Sequence, residues 1–132
     1  MGILKPMIMG KRILIVDDEP DVSKLLSLAL RKSHYDVLVA ENGQSALDHA
    51  AAFRPDLILL DLKLPDFDGY MLFDRFKKDP ATAAVPVVFI TAFTVYGNED
   101  VSEKTKRMGA AGCFYKPFEF RDLKTTLETL LV

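Results

Sequence analysis

The stretch Pro55-Asp-Leu-Ile-Leu-Leu-Asp61 decides the fold. Four consecutive aliphatic residues, introduced by a proline and closed by an acid, read as a buried strand. Upstream, Lys11-Arg-Ile-Leu-Ile-Val16 is a second such run, rich in β-branched residues and bounded by Asp17-Asp18-Glu19. Between these two, Val22, Leu25, Leu26, Ala29 and Leu30 follow helical spacing over Pro20–Lys32. Pro20 suits the first helical turn, where its missing N–H has no helical partner. Asp36-Val-Leu-Val-Ala40 is a short strand, and Asn42-Gly43 a turn into a helix with Ala46, Leu47, Ala50 and Ala51 on one face.

The alternation continues downstream. A loop over Leu62–Gly69 leads to a helix from about Tyr70 to Lys78, and Pro86-Val-Val-Phe-Ile-Thr91 is the fourth strand. The stretch from Ala92 to Asp100, with Gly97 and Asn98, reads as a loop. The helix from about Val101 to Met108 has little beyond those two residues to bury, and Gly109 ends it. Gly112-Cys-Phe-Tyr115 is the fifth strand, and the last helix places Phe120, Leu123, Leu127 and Leu130 on one face. Five strands alternating with five helices predict a doubly wound α/β fold around one parallel sheet. In such sheets ligands bind at the carboxyl ends of the strands.

A chain of 132 residues fits one domain with a core of its own. At 49% apolar and 27% charged it is not a disordered segment. The one cysteine, Cys113, has no internal partner, which suits a reducing compartment such as the cytoplasm. A net charge of −2 carries no electrostatic footprint for nucleic acid. No apolar run approaches the ~18 residues of a membrane span. The first ten residues are too short and broken for a secretory signal, and Pro6 stands where a myristoylation motif wants Ser or Thr. Residues 1–10 therefore read as a loose leader and 11–132 as the domain.

The strand ends carry the chemistry. The first strand ends in Asp17-Asp18-Glu19, the third in Asp61 and the fourth in Thr91-Ala92, while the fifth runs into Lys116-Pro117. Carboxylates that converge repel unless a cation neutralises them. Hard oxygen ligands at this density suit Mg²⁺, whereas no His or Cys cluster suits zinc. Lys116 supplies a point charge and Thr91 a hydroxyl for phosphoryl oxygens. The set fits phosphoryl transfer to an aspartate.

At these residues the chain resembles the CheY-like receiver domain of two-component response regulators. The motifs are Ile-Leu-Ile-Val-Asp17-Asp18-Glu-Pro20, Asp61-Leu-Lys63-Leu-Pro65-Asp66-Phe-Asp68-Gly69, Ile-Thr91-Ala92 and Gly112-Cys-Phe-Tyr-Lys116-Pro117-Phe118. They span nearly the whole chain, in order, each at a strand end. The resemblance implies a flavodoxin-like sheet of strand order 2-1-3-4-5 with five helices. It makes Asp61 the phosphoacceptor, and Asp18, Asp61 and the backbone carbonyl of Lys63 the Mg²⁺ ligands, with Asp17 acting largely through water. Thr91, the N–H of Ala92, and Lys116 would hold the phosphoryl oxygens, with Lys116-Pro117 a cis peptide. Lys63 and Phe93 occupy the positions that tune hydrolysis.

The implied phosphoryl donor is a phosphohistidine on a sensor kinase or phosphotransfer protein. The implied recipient of the signal is an effector domain or protein, with a phosphorylation-dependent homodimer and without membrane or direct nucleic-acid binding. The domain would be a switch, not an enzyme, catalysing only its own phosphorylation and dephosphorylation. The fourth helix, fifth strand and last helix would carry the readout.

Two departures stand out. Cys113 occupies the position, three before Lys116, where the family usually has the Tyr or Phe that moves with Thr91. The segment after Thr91 is also about three residues longer than in compact members, and its Phe93, Val95 and Tyr96 are candidates for a substitute.

Simpler readings compete. Asp17 and Asp18 could cap the following helix, though capping leaves Asp61 unexplained. Asp66-Phe-Asp68-Gly69 reads as turn chemistry, because a calcium loop would need a Glu where Arg75 stands. His34 and His49 read as solvated, and Cys113 as packing. Against the switch stand an Mg²⁺-dependent haloacid-dehalogenase-type phosphatase and a pseudo-receiver that binds partners without phosphorylation. The phosphatase wants its nucleophile in a DxDG context ending the first strand, where Asp-Asp-Glu-Pro stands. The pseudo-receiver wants a gap in the acid pocket or at Lys116, and none exists.

Overall fold

Three strands, β1 (Arg12–Val16), β3 (Leu57–Leu60) and β4 (Val87–Thr91), are buried along almost their whole length. Side chains alternate faces along a strand, so such continuous burial requires cover on both sides of the sheet. In the computed structural model, which describes residues 9–132, five helices provide it. On one face Leu14, Val16, Ile58, Leu60 and Phe89 pack against α2 (Gly43–Phe53), α3 (Gly69–Lys78) and α4 (Val101–Met108). On the other, Ile13, Ile15, Leu57, Leu59, Val88 and Ile90 meet α1 (Pro20–Lys32) and α5 (Phe120–Leu131). Numbering in chain order, with two short strands described below, the parallel sheet runs β2-β1-β3-β4-β7, where β2 is Asp36–Ala40 and β7 is Gly112–Tyr115. This is the 2-1-3-4-5 order of the flavodoxin-like fold. The leader expected at residues 1–10 lies, but for Met9 and Gly10, outside the described residues. No helix among the described residues is long and apolar enough to cross a membrane.

Helix starts are built from local polar chemistry. Asn42 accepts from the Ser45 N–H (2.8 Å), Asp68 from Tyr70 (2.6 Å) and Asp100 from Glu103 (3.0 Å), each satisfying a donor that lacks a helical acceptor. Asp66 accepts from the N–H groups of Gly43 (2.8 Å) and Gln44 (2.9 Å), so the expected turn residue also ties the loop after β3 to the start of α2. Those hydrogen bonds outweigh desolvation and hold its carboxyl below the usual range.

Three expectations need correction. The span 92–100 is not a plain loop. It contains a hairpin, β5 (Val95–Tyr96) with β6 (Glu99–Asp100), turned by Gly97 and Asn98, both at positive φ. Two successive positive φ values give the tight turn whose twist matches an antiparallel pair. In α1, Leu25 is 70% exposed, and Ser23 and Ser27 fill the buried positions instead. In α5, Leu131 is buried where Leu130 was expected, and Phe120 is only partly covered. Both helices are rotated so that the widest part of an apolar stripe meets the sheet and its margins face solvent. Thr105 joins Val101 as a buried residue of α4, its hydroxyl donating to Ser102 O (3.1 Å).

Candidate functional site

The strand ladder continues one step past the strand ends, and this extra step fixes the site. Asp17 N–H donates to Ala40 O (3.1 Å), Asp61 N–H to Val16 O (2.9 Å) and Lys116 N–H to Thr91 O (2.8 Å). Asp17, Asp61, Thr91 and Lys116 are thereby held by backbone hydrogen bonds at one rim of the sheet. Asp17 and Thr91 are fully buried and Asp61 is 5% exposed. The Lys116-Pro117 peptide is cis, as the resemblance implied.

At the centre stands the Lys116 ammonium. Its Nζ donates to Asp17 Oδ2 (2.8 Å), Asp61 Oδ2 (2.9 Å) and Glu19 Oε1 (2.9 Å), which uses all three of its hydrogens. The remaining Asp17 oxygen accepts from the Glu19 N–H (2.9 Å), and the remaining Asp61 oxygen from Leu62 N–H (2.7 Å). Burial pushes the Asp61 carboxyl above its usual range. The Lys116 hydrogen bond and charge offset part of this, and Asp17 adds repulsion. Burial alone would lower the Lys116 pKa, but the hydrogen bonds it donates to Asp17, Asp61 and Glu19 outweigh it and keep the ammonium charged.

A cleft of about 320 Å³ opens above Asp61, lined by Asp18, Glu19, Lys63, Leu64, Ala92 and Phe93 among others. Oxygens of Asp17, Glu19 and Asp61 lie within 4.8 Å of one another. This all-oxygen set suits a hard divalent cation. Asp18 is exposed at the cleft, outside that close group, and the Lys63 backbone forms an isolated antiparallel β-bridge with that of Asp68. Glu19 is the participant that sequence reading placed in the acidic run without a role. The run itself was the available signal, but its reach to Lys116, 97 residues away, is a tertiary property.

The Thr91 hydroxyl accepts from the Phe93 N–H (3.1 Å) at the edge of the cleft. Cys113 is half-buried opposite Phe89, with its thiol pKa raised by burial, as a packing residue should be. His49 is exposed and His34 half-buried at a positive φ, neither within the site.

Gly69 supports the site from below. Its N–H donates to Leu62 O (2.6 Å), and a Cβ there would lie 2.5 Å from Asp61 O. The glycine lets the start of α3 pass against the main chain of the acidic loop.

Comparison with known proteins agrees with this geometry. Residues 13–128 match the response regulator receiver domain family. The phosphate regulon transcriptional regulatory protein PhoB of Pseudomonas aeruginosa is 39% identical over 122 residues, which cover 92% of this chain and 52% of that protein. The chain thus spans about half of that relative. Sporulation initiation phosphotransferase F of Bacillus subtilis is 35% identical over 123 residues, covering 93% of this chain and 95% of that protein. The crystal structure of the response regulator TrrA of Thermotoga maritima, in complex with Mg²⁺ and BeF, is 30% identical with a TM-score of 0.79, covering 92% of this chain and 99% of that one. With carboxylates, hydroxyl and lysine each at the strand end where the motifs put them, the chain belongs to the response regulator receiver family.

Proposed function

We propose that this receiver is a phosphorylation-controlled switch whose phosphoacceptor is Asp61. The observation that carries this reading is the Lys116 ammonium held on Asp61, Asp17 and Glu19, with Asp61 and Glu19 lining the cleft. A carboxylate nucleophile needs a cationic neighbour to receive a dianionic phosphoryl group, and Lys116 supplies one. In the transfer, an Asp61 oxygen forms the bond to phosphorus as the donor's P–N bond breaks, and the electron pair returns to the imidazole nitrogen of a phosphohistidine. Thr91, the Ala92 N–H, and Lys116 hold the phosphoryl oxygens.

The donor set also fits Mg²⁺. Asp17, Asp18, Asp61 and the Lys63 carbonyl would hold it, with Glu19 close enough to join them. When bound, Mg²⁺ supplies the charge that offsets the carboxylates and the incoming phosphoryl.

The donor protein is a sensor histidine kinase or phosphotransfer protein, and the setting is the cytoplasm. The readout is the surface of α4, β7 and α5, which engages an effector domain or protein and supports a homodimer on phosphorylation. This unit itself binds neither nucleic acid nor membrane. Its chemistry is confined to its own phosphorylation and dephosphorylation. Intact mass after incubation with acetyl phosphate and Mg²⁺ tests the reading. The wild type gains one base-labile phosphoryl group, while Asp61→Asn, or wild type in EDTA, gains none. The same gain in Asp61→Asn would overturn the assignment.

A further inference from the structure

Cys113 places no ring opposite Phe89 on β7, and the structure fills that region from elsewhere. Tyr70, from the first turn of α3, is buried with its ring 6.0 Å from Phe89, the cross-strand neighbour of Cys113. Tyr96, from the β5–β6 hairpin, meets Tyr70 edge-on at 6.0 Å, and Phe93 meets Tyr96 edge-on at 5.5 Å. Edge-to-face pairs at these separations attract through the ring quadrupoles. The Phe93 backbone in turn donates to the Thr91 hydroxyl.

The far side of the hairpin is fastened to α4. Val101 N–H donates to Thr94 O (2.9 Å), and Asp100 caps the helix. Glu99 pairs with Lys104 (3.0 Å) and Arg107 (2.7 Å), and the Lys104 ammonium also lies 4.4 Å from the centre of the Tyr70 ring. A continuous set of contacts therefore runs from the Thr91 hydroxyl through Phe93, Tyr96 and Tyr70 to Lys104. The helix at its end has few anchors, with Val101 and Thr105 its buried residues. Elements with so little buried surface are the ones that shift at small energetic cost.

We propose that the β5–β6 hairpin, through Phe93 and Tyr96, couples the phosphoryl pocket to α4 and performs the task for which Cys113 is too small. The proposal rests on the phosphorylation reading given above. When Thr91 turns its hydroxyl toward a phosphoryl oxygen, its hydrogen bond from the Phe93 N–H lengthens. Phe93 then follows or is released, and the Phe93–Tyr96–Tyr70 stack and the start of α4 repack together. Tyr115 is the rival coupler. It pairs with Thr91 across the ladder, and its phenol accepts from the Ser102 N–H (3.2 Å). The hairpin is favoured because the hydrogen bond that Thr91 Oγ1 makes among the described residues goes to Phe93.

The test uses the full chain, amide hydrogen exchange with and without Mg²⁺–beryllofluoride, and phosphorylation by acetyl phosphate read as intact mass. In the wild type, exchange over residues 95–108 changes by about two- to tenfold, the range over which one aromatic pair shifts an opening equilibrium. Tyr96→Ala still takes up one phosphoryl group but loses most of the change over 101–108, and Tyr96→Phe behaves as wild type. If Tyr96→Ala fails to fold, Tyr96→Leu replaces it with the same expectation. A full α4 response in the Ala or Leu variant, or its loss in Tyr115→Phe instead, overturns the relay. So does a phosphorylated wild type with no change over 95–108. A wild type that takes up no phosphoryl group overturns the phosphorylation reading itself, a result distinct from all of these.

Discussion

Replacing Gly69 by Ala should damage both the fold and the phosphorylation chemistry, because the added methyl has no flexible neighbour to displace. Its Cβ would lie 2.5 Å from Asp61 O, 2.7 Å from Leu62 Cα and 3.0 Å from Leu62 O, all main-chain atoms. Restoring ordinary contact requires α3 or the Asp61–Leu62 backbone to retreat by about 1 Å, as overpacked cores do at a typical cost of ~1–3 kcal/mol. For a domain of this size that corresponds to a fall in Tm of roughly 4–12 °C. The same retreat moves Asp61 relative to Lys116, and a misplacement of ~1 Å can slow a reaction by about a hundredfold. Gly112→Ala is the internal control. There a Cβ meets only side chains, those of Val88 at 3.7 and 3.8 Å and Thr126 at 4.0 Å, all ordinary contacts. Urea or thermal unfolding gives the stabilities, and the rate of phosphoryl uptake from acetyl phosphate gives the chemistry. If Gly69→Ala matches Gly112→Ala in stability and wild type in rate, the steric argument fails.

Three further outcomes are expected. Burial holds the Asp61 carboxyl above its usual range, so the fold favours the protonated form. That contribution is full below the unfolded pKa and is lost as pH rises through the raised folded value. In EDTA at pH 7, Asp61→Asn should therefore melt above wild type, with the gap closing in acid. A wild type that melts higher at pH 7 would contradict this. Tyr35 is buried with no hydrogen-bond partner for its phenol among the described residues, and burial, aided by Glu128, pushes its pKa to about 12. Between pH 10 and 12 wild type should lose about 2 kcal/mol that Tyr35→Phe retains, measured from their urea midpoints and slopes. Parallel curves would refute it. Lys63 and Phe93 line the cleft, and neither is a water-orienting acid or amide. Phosphoryl decay in purified phosphoprotein with Mg²⁺ should quicken in Lys63→Asn and Phe93→Glu. Unchanged or slower decay would show that water access is not what limits hydrolysis.

What the sequence determined by itself is local in origin. The apolar runs around Ile13–Val16, Leu57–Leu60 and Val87–Ile90 dictate strands buried on both faces, because period-two alternation leaves no side of them polar. The helices between them dictate parallel pairing. Once a sheet is parallel and doubly wound, the residues that end or directly follow each strand share a rim, so Asp17, Asp61, Thr91 and Lys116 were legible as a site. Each needed only its position at a strand end, and backbone hydrogen bonds from Asp17, Asp61 and Lys116, one residue past their strands, hold the rim together.

Tertiary structure decided the rest, because it depends on distances between segments remote in the chain. Which carboxylates share the Lys116 ammonium depends on side-chain reach across 55 to 99 residues, and this brought in Glu19 while leaving Asp18 at the cleft edge. Helix rotation, which exposed Leu25 and buried Ser23 and Ser27, is set by fit against the sheet, since a stripe wider than the contact cannot be wholly covered. The hairpin after Thr91 has strands of two residues, too short for periodicity to register. It exists because Gly97 and Asn98 can turn and because Tyr96 finds Tyr70 and Phe93 to pack against, partners that only the folded chain brings within reach.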